Sequence, residues 1–70
     1  MNPDSQEKER TRARIHELEV EHRDLDQIIE HLAVNPPQDE LLVLRLKKRK
    51  LQVKDRITLL EQSLVPDIPA

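Results

Sequence analysis

His31-Leu32-Ala33-Val34-Asn35-Pro36-Pro37-Gln38-Asp39-Glu40-Leu41-Leu42-Val43 is the stretch that decides the fold. Pro36 disfavours the helical region for Asn35, and neither proline has an N–H to carry a helical hydrogen-bond ladder forward. A helix arriving through Leu32 therefore stops here. Prolines suit the first turn of a new helix, and Asp39 and Glu40 favour its positive N-terminus. The expected layout is a first helix over about 5–33, a Pro-Pro turn at 34–37 and a second helix over about 38–64. A connection of about four to six residues between two long helices makes them antiparallel neighbours.

Outward from the prolines, both arms carry aliphatic residues stepping by three and four. On the first arm the series is Ile15, Leu18, His22, Leu25, Ile29 and Leu32; on the second it is Val43, Leu46, Lys50, Val53, Ile57, Leu60 and Leu64. This is a heptad seam, with a at 15, 22 and 29 and d at 18, 25 and 32. Setting Leu32 opposite Val43 fixes the sum of paired residue numbers at 75. The other layers are then Ile29 with Leu46, Leu25 with Lys50, His22 with Val53, Leu18 with Ile57, Ile15 with Leu60 and Thr11 with Leu64. Every layer joins one a to one d. The flanks agree in sign: Arg12 meets Glu61, Glu19 meets Lys54, Asp26 meets Lys47, and Glu21 meets Arg56. Exposed pairs contribute only ~0–1 kcal/mol each, so their role is to select register. The fold class is all-α: an antiparallel two-helix coiled-coil hairpin assembling into a helical bundle.

The ends are weaker signals. Asp4 and Glu7 have capping-box spacing, which starts the first helix near Ser5. Val65-Pro66-Asp67-Ile68-Pro69 stops the second helix and leaves a frayed tail over 65–70. No apolar core of a signal peptide occurs in the first ten residues, and the longest apolar run is Leu41 to Leu44. A cytoplasmic location is the expectation.

Composition removes several classes of function. The 70 residues include no Cys, Gly, Phe, Tyr or Trp, and 37% are charged. Without cysteine there is no disulfide and no thiolate metal site. Without glycine there is no phosphate-cradling loop that needs a left-handed backbone, and without aromatics there are no stacking platforms for single-stranded nucleic acid. No cofactor and no small-molecule substrate is expected. The hydroxyls Ser5, Thr11, Thr58 and Ser63 have no His and carboxylate placed to activate them, and two facing helices form no cleft, so the chain is not read as an enzyme.

The charged residues invite sharper readings. From Arg45 to Arg56 there are seven positive residues (Arg45, Lys47, Lys48, Arg49, Lys50, Lys54 and Arg56) and one negative, a net of +6. From Glu17 to Glu30 there are six acidic residues and one basic, a net of −5. The register lays one stretch against the other, so pairing inside the hairpin absorbs most of the charge. Arg45, Lys48 and Arg49 are left facing outward as a candidate basic surface for nucleic acid or, less favoured, an anionic membrane surface. Lys50 and His22 occupy seam positions, where polar residues fix register at a cost in stability. Lys50 can lay its methylenes over Leu25 and reach Asp26 with its ammonium. A seam histidine is either a satisfied packing residue, the favoured reading, or a pH switch. Glu19 and His22 also have the Glu-x-x-His spacing of carboxylate-bridged metal bundles, but the facing helix offers Lys50, Val53 and Lys54, which repel a cation, so no metal is expected. His16 and His31 read as solvated surface.

Not every aliphatic residue fits the seam. Leu44 and Leu51 lie seven apart at b, Leu41 and Leu59 also fall outside it, and Ile28 and Leu42 flank it at g. A short chain rarely gains more than ~3–5 kcal/mol from one core, and repeated off-seam apolars point to a second surface. Leu44, Leu51, Leu41, Ile28 and Leu42 are therefore candidate contacts for a second copy, in a homodimer or higher oligomer, or for another helical protein.

Two segments carry a family resemblance. His22-Arg23-Asp24-Leu25-Asp26-Gln27-Ile28-Ile29 resembles the His-x-x-Leu-Asp-x-x-Ile stretch of the YdcH-like family of small bacterial proteins. Leu46-Lys47-Lys48-Arg49-Lys50-Leu51-Gln52-Val53-Lys54-Asp55-Arg56-Ile57 is similar to its Leu-Lys-Lys-x-Lys-Leu-x-Leu-Lys-Asp-x-Ile core. Val53 stands where the family has Leu, and Arg56 where an acidic residue is expected. The likeness spans roughly residues 15 to 62. It implies a helical hairpin and brings no established activity, substrate or cofactor.

Overall fold

The computed structural model describes residues 3–64, with side chains from residue 5 onward. The Asp4 side chain of the capping-box reading and the tail 65–70 lie outside the described residues. Among the described residues two helices make up the fold, α1 over Pro3–Val34 and α2 over Glu40–Leu64, packed against each other as a hairpin.

The connection shows how the sequence stops one helix and starts the next. The Asn35 N–H donates to the His31 carbonyl at 2.9 Å, and its side-chain amide donates to the same oxygen at 3.4 Å. That closes the final turn of α1 just ahead of Pro36 and Pro37, two successive residues without an N–H to continue it. The prolines do not enter the first turn of α2. They stay in the connection, and α2 begins at Glu40 rather than near Gln38. The reason is Asp39: its side-chain carboxylate accepts the Leu41 N–H at 3.0 Å, and its carbonyl accepts the Leu42 N–H at 3.1 Å. Asp39 is the N-cap, so the helix can start only after it. Glu40 then sits in the first turn, where a negative side chain is favoured.

Burial follows the heptad. Ile15, Leu18, Leu25, Val53 and Ile57 form the buried core, with Leu46, Leu60 and Leu64 packed against it half-buried. Leu18 and Val53 are 2% and 1% exposed. His22, Ile29, Leu32, Val43 and Lys50 are also half-buried, as is Thr11, the partner assigned to Leu64. The core is strongest in the arm distal to the turn and the middle, and thins toward the prolines. An isolated pair of helices has no third element to cover its flanks, so even seam residues near the turn keep contact with water. No helix among the described residues is long and apolar enough to cross a membrane.

Candidate functional surfaces

Polar contacts between the helices set the electrostatic surface. Two ion pairs cross the interface among the described residues. Arg49 grips Glu21 with both arms of its guanidinium, Nε to Oε2 at 2.8 Å and Nη2 to Oε1 at 3.1 Å. Lys50 donates to Asp26. The hydrogen bond from Arg49 holds the Glu21 carboxyl below its ordinary value, and that from Lys50 does the same for Asp26. The Glu21 carboxylate in turn raises the Arg49 guanidinium. A third ion pair, Arg14 with Glu17 at 3.0 Å, runs along α1.

These partners correct two expected flank pairs. Glu21 does not pair with Arg56. On the opposing g flank two arginines stand seven residues apart, and the carboxylate takes the one with which it closes a bidentate fork, the stronger geometry. Asp26 pairs with Lys50, the partner expected from the seam position of Lys50, and not with Lys47. Lys50 has its methylenes in the half-buried seam, so its ammonium is the one that needs a counter-charge, whereas exposed Lys47 keeps its water. Arg12 with Glu61 and Glu19 with Lys54 form no ion pair. Arg49 is thus not part of a free basic surface. It is replaced there by Arg56, which has lost the carboxylate assigned to it. Among the described residues Arg45, Lys47, Lys48, Lys54 and Arg56 stand on α2 outside the ion pairs.

His22 does not face an apolar environment alone. It lines an open groove of about 390 Å³ along one flank, together with Glu19, Arg23, Asp26, Lys54, Ile57 and Glu61. Both cations and carboxylates line it. No group of three or more His, Asp or Glu side chains is arranged to hold a metal ion among the described residues. Three of the hydroxyls are turned into their own helices: Thr11 donates to the Glu7 carbonyl at 2.9 Å, Thr58 to Lys54 at 3.1 Å and Ser63 to Leu60 at 2.6 Å. His16 and His31 are exposed.

The off-seam aliphatics all face solvent. Leu41, Leu44, Leu51 and Leu59 are 56 to 67% exposed, and Ile28 and Leu42 are 46% and 36%. They separate into two places. Ile28 and Leu42 lie on the g flank. Their numbers add to 70, as do those of Glu21 and Arg49, so they share the diagonal spacing of that ion pair, one heptad nearer the turn. Leu41, Leu44, Leu51 and Leu59 lie on the outer side of α2. Val20, 44% exposed on the outside of α1, escaped the sequence reading. It stands alone among polar neighbours, and only its position at f, opposite the seam, signals it.

A family model described as a protein of unknown function, DUF465, matches residues 15–61. The match covers α1 from Ile15 onward, the turn, and α2 as far as Glu61. No curated protein and no solved structure matches the chain.

Proposed function

We propose, from the premise that the chain belongs to the DUF465 family of proteins of unknown function, that it is a non-enzymatic helical-hairpin interaction module that associates with itself. One observation carries the reading. Among the described residues five aliphatic side chains are buried in the hairpin and six more are half-buried in the seam, whereas eight large ones are exposed: Val20, Ile28, Val34, Leu41, Leu42, Leu44, Leu51 and Leu59. A two-helix unit that leaves eight large apolar side chains in water gains stability by covering them with another surface. The back-bonded hydroxyls and the open, charge-lined groove fit binding better than catalysis. Size-exclusion chromatography with light scattering at micromolar concentration tests this. A species larger than 8.3 kDa that dissociates on dilution is expected. A monomer whose unfolding is cooperative and independent of concentration refutes it.

A second reading is nucleic-acid binding through α2. It is favoured by the release of Lys47, Lys54 and Arg56 from their expected partners, which adds to Arg45 and Lys48. The cations are spread around the helix and acidic α1 lies alongside, so any binding is electrostatic and salt-sensitive. Retention on duplex DNA that falls steeply between ~50 and ~200 mM salt supports this reading, and no retention at low salt removes it.

A further inference from the structure

The outward side of α2 carries a pattern that is self-complementary under a two-fold axis. At about 100° per residue, Leu41, Leu44, Lys48, Leu51, Asp55, Leu59 and Gln62 fall on the side of α2 turned away from the α1 seam. All seven are exposed. The two charges on this stripe have no use inside the hairpin. Lys48 has Leu44, Arg45, Leu51 and Gln52 at helical neighbour spacing, and Asp55 has Leu51, Gln52, Thr58 and Leu59. Neither therefore has an opposite charge within reach along the helix. They are also seven residues apart, a rise of about 10.5 Å, too far to pair with each other.

We propose that this face is the contact between two copies of the chain, with α2 packed antiparallel on α2 of the second copy about a two-fold axis between Leu51 and Gln52. The inference rests on the self-association reading and names its surface. With the axis there, facing residue numbers sum to 103. Lys48 of each copy meets Asp55 of the other, twice by symmetry. Leu44 meets Leu59, also twice. Leu51 meets its own counterpart beside the axis, and Leu41 packs over Gln62. An isologous interface requires this reciprocity, residue i on j and j on i. The stripe supplies it in both charge and apolar character. Arg45 falls at the level of Thr58, and the cations that share a level across the axis, Lys47 with Arg56 and Arg49 with Lys54, lie on the flanks of α2 outside the stripe. The assembly is a layer of four helices in the order α1, α2, α2, α1, with each α2 covered on both sides. Ile28 and Leu42 on the g flank remain outside it.

The test uses the whole chain. Zero-length carbodiimide coupling joins an amine to a carboxylate in contact. It should yield a covalent dimer whose peptides carry a Lys48–Asp55 link, a link the distance forbids within one helix. Lys48→Asp and Asp55→Lys should each weaken the dimer about tenfold in light scattering, because each turns two attractive contacts into two repulsive ones. The double variant Lys48→Asp/Asp55→Lys should restore wild-type association. Circular dichroism of each variant checks that the exposed substitutions leave the helices intact. A wild-type dimer that neither single variant weakens, or that the double variant fails to rescue, overturns this face and leaves self-association standing. A wild-type chain that stays monomeric overturns both.

Discussion

Leu18→Ala probes the layer on which the hairpin depends most. Leu18 is 2% exposed and belongs to the same core cluster as Ile57, itself 3% exposed. The substitution removes three carbon groups from water-free packing, at ~0.8 kcal/mol each, or about 2.4 kcal/mol of transfer free energy. A cavity term normally adds to this. Here the gap opens toward two uncovered flanks and can collapse or admit water, so the total should sit near the low end of the core range, about 2.5–3 kcal/mol. Against the ~3–5 kcal/mol that a chain of this length gains from its core, most of the stability is lost. The folding constant falls by roughly sixtyfold or more. Urea titration followed by far-ultraviolet circular dichroism at one fixed protein concentration reads this out. Val20→Ala is the comparator. Val20 is 44% exposed, and its replacement should stay within ~0.5 kcal/mol of wild type. A Leu18→Ala chain within ~1 kcal/mol of wild type, or a Val20→Ala chain damaged equally, would refute the seam and the register derived from it.

Lys50→Leu extends the apolar seam and leaves Asp26, which is 45% exposed, to water. Stability should rise by up to ~1 kcal/mol, since replacing a half-buried ion pair with packing is often favourable; a lower urea midpoint would mean the pair contributes more than the burial. Glu21 and Asp26 both have folded carboxyls below their ordinary values of 4.5 and 3.8. Their contribution is therefore complete above those values and is lost as pH falls through the lower folded ones. The urea midpoint of wild type should drop on acidification below about 4.5, and a Glu21→Gln/Asp26→Asn variant should show a shallower drop; parallel profiles would deny the two pairs a role. A double-mutant cycle on Glu21 and Arg49 should give a small coupling that shrinks with salt, because the two side chains are 37% and 49% exposed. The same cycle on Glu21 and Arg56 should give none.

The hairpin was legible because its causes are local. Pro36 and Pro37 end a helix wherever they stand, and steps of three and four define a face with no knowledge of what covers it. The antiparallel arrangement follows from the shortness of the link. The start of α2 was less legible: prolines and Asp39 both signal a helix N-terminus, and only the hydrogen bonds from Leu41 and Leu42 show that Asp39 is the cap and the prolines lie outside. The candidate surface was visible in Leu41, Leu44 and Leu51 as leucines with no seam to fill. Asp55 carried a signal that went unused, the absence of any basic residue three or four positions away.

The amino-acid order alone determined two helices, their bend and the set of residues that turn toward one another, because backbone geometry and apolar periodicity operate within a few residues. Tertiary structure decided which charges pair. Glu21 has an arginine within reach on either side of its level, Arg49 and Arg56, and Asp26 has Lys47 and Lys50. Long side chains bridge either spacing, and the periodic pattern is the same for both. The choice rests on guanidinium geometry and on which ammonium has been drawn out of water, and these exist only once the two helices have met.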